Sequence, residues 1–235
     1  MRYFLTLLFL SIFFNSKAQY VDKGSWYWGP LNANAVGSYK EYLDGFDKNT
    51  SKIGLVGGYL FNPISKSDRN SPIMVGGEFG LLGWGSDPVD YYQRNRFTNQ
   101  HNYYWLNFVA RWRPVSGASK INPFFDLFAG PAFVNSKVTE LLGEGETRKV
   151  FGDTKTTKNY GLGAGIGIKW LKKDGDPRYV DLGLYFQDSE KITTTRRDSF
   201  YIIQNPVVGY DEIYHDKSVI KHSNFQIRLN LTNFL

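Results

Sequence analysis

The sequence predicts a single antiparallel, up-and-down transmembrane β-barrel of eight strands, and three observations carry that prediction. From Lys52 onward, apolar residues recur at every second position in segments of 11 to 14 residues, the period of a strand with two unlike faces. The apolar face of five candidate strands holds no Lys, Arg, Asp or Glu, as a lipid-facing surface requires. The connections between segments alternate between long and short, the topology of a barrel with external loops and periplasmic turns.

The N-terminus comes first in that argument. Arg2 precedes an apolar run of 12 residues, Tyr3 to Phe14, and Ser16-Lys17-Ala18 places small residues before Gln19. This is the pattern of a signal peptide over residues 1–18, cleaved after Ala18, and the run is short of the roughly 18 to 20 residues a membrane helix needs. The barrel domain is then residues 19–235. No later run is apolar enough for a helix, so a membrane form must cross as strands.

Strands are expected at 25–36, 51–62, 72–84, 101–114, 121–134, 158–171, 178–188 and 221–234. The first contains Pro30 and alternates weakly. In the fourth, Tyr104, Leu106, Phe108, Ala110 and Trp112 share one face, opposite Asn107, Arg111 and Arg113. In the fifth, Phe125, Leu127, Ala129 and Phe133 oppose Asp126 and Gly130. The sixth sets Leu162, Ala164, Ile166 and Ile168 against Gly161, Gly163, Gly165, Gly167 and Lys169. Val180, Leu182, Leu184 and Phe186 alternate with Asp181 and Gln187 in the seventh, and Phe225, Ile227, Leu229 and Leu231 with Gln226 and Arg228 in the eighth. About 11 residues at roughly 3.3 Å each, tilted by about 45°, rise on the order of 26 Å, close to the apolar band of such barrels.

Long connections are expected at 37–50, 85–100, 135–157 and 189–220, and shorter ones at 63–71, 115–120 and 172–177, which puts both termini in the periplasm. The last loop contains strand-like stretches around Asn205-Pro206 that read either as a hairpin above the membrane or as two further strands, ten in all. Asp198, Asp211 and Glu212 favour the hairpin.

A soluble sandwich also alternates, so the minority face decides between the two architectures. Here it carries glycines, aromatics and isolated charges rather than Lys, Glu, Thr and Ser, as a cramped polar lumen would. Aromatic belts at headgroup depth are expected from Trp84, Tyr103, Tyr104 and Trp105 at the external strand ends, with Phe61, Trp112 and Trp170 at the periplasmic ends.

The FAGPAF segment (128–133) after Asn122-Pro123, the YGLGAGIGIKW run (160–170), RYVDLGLYF (178–186) and the closing FQIRLNLTNFL, behind a signal peptide ending at Ala18-Gln19, resemble the small outer-membrane barrels of the PorT-like, Bacteroidetes-type group. The resemblance covers the mature chain. It implies an eight-stranded barrel in the outer membrane of a Gram-negative cell, with some members tied to protein secretion or surface machinery. The chain departs from the common terminal Phe of such barrels, since Phe234 is followed by Leu235.

Chemistry is sparse. Glu78, Asp126 and Asp181 alternate with Arg111, Lys169 and Arg228 on the inward faces of six strands, and an eight-stranded barrel is just wide enough to be filled by side chains. Unpaired charges would be costly there, so a mutually paired polar core plugging the lumen is expected, with a narrow porin as the alternative. The glycine run lacks the spacing of a nucleotide loop and reads as room for bulky neighbours. His101, His215 and His222 are the three histidines, and His222-Ser223 could be assembled into a lipid-modifying hydrolase or acyl transferase. Adjacent residues on a strand point to opposite faces, which argues against it. No catalytic, metal or cofactor site is therefore expected. With no Cys, a disulfide scaffold and thiolate chemistry are excluded.

The expected partners are outer-membrane lipid and lipopolysaccharide, with an envelope protein engaged through loop 189–220, where Phe200, Tyr201, Ile202, Ile203, Val207, Val208 and Tyr210 need a surface to cover. The charge balance of 28 Lys+Arg against 22 Asp+Glu, +6 overall, would otherwise suggest nucleic acid. Its excess falls on strands, short turns and the leader rather than on one exposed patch, so nucleic acid is not expected.

Overall fold

The computed structural model describes residues 24–44, 51–63, 65–66, 69–70, 72–85, 89–91, 95–114, 119–141, 146–170, 178–195, 201–205, 210–214 and 216–233. Residues 1–18, expected as a signal peptide, His215, most residues of the two turns at 115–120 and 172–177, and Phe234 and Leu235 lie outside them.

Eight strands form the barrel: β1 Gly24–Ala35, β2 Ser51–Phe61, β3 Ile73–Gly85, β4 Asn95–Trp112, β5 Ile121–Leu141, β6 Thr147–Trp170, β7 Arg178–Ser189 and β8 Asn224–Thr232. Each is antiparallel to its sequence neighbours. The sheet closes where β8 returns to β1, from Tyr27↔Thr232 to Ala35↔Asn224. Closure removes every edge from the body of the sheet. β1 alternates cleanly despite Pro30, which faces outward.

The exterior follows from the alternation. Trp26, Ile53, Leu55, Phe79, Leu106, Phe108, Leu127, Leu162, Leu182, Leu184, Phe225 and Ile227 all point outward and are exposed. The band ends where β6, β7 and β8 change character together. The row Leu162, Phe186, Phe225 gives way to Tyr160, Asp188 and Ser223, hydrogen-bonded through Asp188, with Tyr160 OH donating at 3.2 Å and Ser223 Oγ at 2.6 Å. No helix among the described residues is long and apolar enough to cross a membrane.

At the long-connection end two features differ from the sequence expectation and a third, the hairpin around Asn205-Pro206, agrees with it. β4 begins at Asn95, β5 runs to Leu141 and β6 starts at Thr147, so most of 135–157 is not a loop but a continuing ladder. It persists because Val138, Thr139, Val150 and Phe151 favour strand, and because Arg148 donates to Glu140 Oε2 across it from Nε at 3.0 Å and Nη2 at 2.6 Å. Residues 37–50, expected as a loop, contain a helix, α1 Gly37–Asp44. Within 189–220, Ile192–Thr195 pairs with Lys217–Ile220 and Tyr201–Asn205 with Tyr210–Tyr214. Neither ladder joins the barrel sheet, so the barrel has eight strands and not ten.

Candidate functional site

The lumen is filled in layers. Near the short-turn end, Arg111 forks onto Asp126, with Nε donating to Oδ1 at 2.7 Å and Nη2 to Oδ2 at 2.8 Å, while its Nη1 donates to Asp181 Oδ2 at 3.1 Å. Tyr185 OH donates to Asp126 Oδ2 at 2.8 Å, and the Arg111 guanidinium lies 4.2 Å above the Phe124 ring. Charge-assisted, bidentate geometry of this kind offsets the desolvation of a side chain only 1% exposed. Asp181 also receives Thr232 Oγ1 at 3.0 Å and faces Arg113 Nη2 at 3.8 Å.

A second centre forms one layer further in. Arg228 Nη1 donates to Glu78 Oε2 at 2.6 Å, and Glu78 also accepts from Tyr27 OH at 2.9 Å, Trp105 Nε1 at 3.0 Å and Asn107 Nδ2 at 3.3 Å. The Arg228 guanidinium stacks 3.9 Å from the Tyr185 ring centroid, so one aromatic joins both centres. Above them lies an amide layer in which Gln187 Nε2 donates to Asn159 Oδ1 at 3.0 Å and Gln226 Nε2 to Asn224 Oδ1 at 2.7 Å.

The glycines of β6 make this packing possible. A Cβ on Gly161 would fall 2.3 Å from Phe128, on Gly163 2.2 Å from Tyr185, on Gly165 2.5 Å from Phe124 and on Gly167 2.5 Å from Asp181 Oδ1. The glycine face is the surface over which the aromatics and Asp181 lie.

The mouth at the long-connection end is different in kind. His101 Nε2 and His222 Nε2 lie 2.8 Å apart with their rings coplanar to 4°, and His101 Nδ1 is 2.8 Å from Ser136 Oγ, itself 3.4 Å from Thr194 Oγ1. His222 is fully buried, and its Nδ1 has no partner among the described residues. Helix α1 closes the mouth: Tyr39, Tyr42 and Leu43, spaced to share one helix face, are buried, and the Tyr39 ring sits 4.3 Å from His222 and 5.3 Å from Trp84.

Of the six residues expected in the lumen, Glu78, Arg111, Asp126, Asp181 and Arg228 are brought together here. Lys169 lies on the inward face of β6 but half-buried at the rim, and Arg113, two residues beyond Arg111 and just past the end of β4, stands against Asp181. Arg113, Tyr27, Tyr185 and the amide layer were legible only as residues sharing the inward parity of their strands.

The expected aromatic belts need correction. Tyr104, Trp112 and Trp170 face outward, Trp170 with 65% of its surface exposed. Trp84 and Trp105 are each 1% exposed and point into the lumen, as does Tyr103. The reason is parity: Trp105 is in phase with Asn107 and Arg111, and Trp84 with Glu78.

His222 and Ser223 face opposite sides of the wall, Ser223 bonding to Asp188 outside. The serine that does meet a histidine is Ser136, which touches Nδ1 of a ring 1% exposed beneath α1. Among the described residues no group of three or more His, Asp or Glu is placed to hold a metal.

Fold and interior together define a class: a small, closed antiparallel barrel with an uncharged apolar band around its exterior and a lumen packed with side chains. No family model matches the chain, and no curated protein matches it. Among solved structures it is similar to Ail, the attachment invasion locus protein of Yersinia pestis, in complex with the heparin analogue sucrose octasulfate, at 13% identity and a TM-score of 0.42 over 88% of this chain and 97% of that one. It is also similar to Neisserial surface protein A, at 9% identity and 0.41 over 90% and 96%, and to the beta domain of the Bordetella autotransporter BrkA, at 10% and 0.23 over 90% and 99%. At such values the likeness assigns neither a function nor a site.

Proposed function

We propose that the chain is an integral outer-membrane barrel that does not conduct and serves the cell envelope as an interaction component, presenting its long-connection end outside the cell. The observation that carries this reading is the pairing of an uncharged apolar band around the whole exterior with a lumen filled by hydrogen-bonded charges. The band favours hydrocarbon, because leaving Leu184, Leu162 and Phe108 in water at 66%, 56% and 61% exposure would forfeit about 1–2 kcal/mol each. The filled lumen leaves the wall's extension and the 189–220 hairpins as the surfaces that meet other molecules.

A role in secretion or surface machinery, and membership of the PorT-like group, fit this reading through the motifs quoted above. Removal of residues 1–18 as a signal peptide is part of it, with lipid and lipopolysaccharide around the band.

Photocrosslinking in the native envelope tests the proposal. A photoreactive side chain placed at Leu184 should yield only lipid adducts, and one at Val219, exposed on the 217–220 strand, should yield a discrete protein adduct that co-fractionates with outer membrane. Recovery of the chain in a soluble fraction, or lipid adducts alone at both positions, would overturn it.

A further inference from the structure

The buried histidine pair at the mouth has no part in the structural role of the lumen below it. We infer that this pair is an acid-sensitive latch, and that protonating it releases helix α1 from the barrel mouth.

The tautomers are constrained as a chain. If Ser136 Oγ accepts from His101 Nδ1, then His101 Nε2 accepts from His222 and leaves a bare lone pair on His222 Nδ1. If Ser136 donates, the proton order reverses and the unmatched atom is an N–H at the same place. Either way only one proton fits between the two Nε2 atoms. A further proton on the pair makes a buried imidazolium, and a second would set N–H against N–H across 2.8 Å.

Among the described residues, hydroxyls and aromatic rings face the pair. Tyr39 and Tyr42 face the pair from α1, Trp84 from β3, Tyr103 from β4, Ser136 from β5, Ser189 from β7 and Thr194 from the 192–195 strand. The nearby charges lie elsewhere. Lys40 and Glu41 are exposed on the far side of α1, Asp188 bonds Lys221 on the barrel exterior, and Glu140 is held by Arg148 beyond Ser136. Among the described residues no carboxylate faces the histidines.

The latch sits where the plug is hinged. Val36 N donates to Ser223 O at 2.9 Å beside His222, and Gly37 follows at φ 58°, turning the chain from β1 into α1. The helix has eight residues, too few to persist alone, so its docking on the histidine layer is what keeps it folded.

Burial lowers the His222 pKa from 6.5 to about 3, in a segment outside the strands. The closed mouth therefore binds fewer protons than the open one between these values. Its stability is complete above pH 6.5 and declines as pH falls toward 3. Relative to pH 7.5, opening at pH 4.5 is favoured about 100-fold.

Hydrogen exchange on the full mature barrel in lipid nanodiscs tests this. Protection of the 37–44 amides, corrected for intrinsic chemistry, should fall about 100-fold between pH 7.5 and 4.5 while β4 around Arg111 stays protected. In His222→Asn the fall should vanish. Unchanged wild-type protection, or an equal fall in the variant, would overturn the latch. Should the variant not fold, ring-nitrogen NMR of the wild type decides: protonation of His222 must coincide with loss of α1 protection, and protonation with α1 still protected contradicts the inference.

Discussion

The two ends of this lumen solve the same problem, burying polar groups without water, by opposite means. At the short-turn end and centre, Arg111, Arg113 and Arg228 meet Asp126, Asp181 and Glu78, permanent charges in permanent partnership. At the long-connection end, His101 and His222 are buried, and hydroxyls and aromatic rings surround them. The first arrangement is built on guanidinium groups, which stay charged in proteins, and fails when a partner is removed. The second holds until a proton arrives. One barrel thus carries a fixed plug below a conditional cover.

The largest expected effect comes from breaking the fixed end. Arg111→Ala strips Asp126 of its buried cation and leaves Asp181 with Arg113 and Thr232 alone, and should cost about 3–5 kcal/mol, read as a lowered urea midpoint of unfolding in micelles. Asp126→Asn combined with Arg111→Met should recover most of that loss, because the side chain at 126 is then neutral and Asp181 keeps Arg113. Leu184→Arg, on the exterior of β7 near mid-band, should cost about 2–4 kcal/mol in a bilayer and far less in a soluble setting, which separates lipid from water as the neighbour of that face. Gly163→Val drives a side chain into the Tyr185 ring and should cost about 1–3 kcal/mol, with loss of the Tyr185 contacts to Asp126 and Arg228. Gly37→Ala is the mildest. Its positive φ strains any side chain by about 1 kcal/mol, and the effect should show as faster exchange in 37–44 with an unchanged global midpoint.

The contrast also explains what could be read from the chain beforehand. Alternation in β4 to β8 placed Arg111, Asp126, Asp181 and Arg228 on one continuous surface before any pairing was visible, because a period of two is a property of each strand alone. A belt position for Trp84 and Trp105 follows from their place along the strand, but phase is the stronger constraint and turns both inward: a one-residue slip sends every side chain to the other face. Lys169 shares the inward phase but sits at a rim, which no local pattern reveals. The mouth was opaque for another reason. Helix α1 is eight residues held by tertiary docking of Tyr39, Tyr42 and Leu43, and its partners His101 and His222 lie 121 positions apart. The ladder from Asn135 to Thr157 was hidden by its mixed polar composition, since above an apolar band a strand has no need to alternate.

The central claim is that the lumen is closed by its own side chains, and single-channel recording in planar bilayers at pH 7.5 tests it most directly. Purified wild-type protein should give no stable conductance steps, and Arg111→Ala, which opens the lower network, should give flickering events at most. Stable, uniform channels from the wild type, altered in Arg111→Ala, would contradict the account.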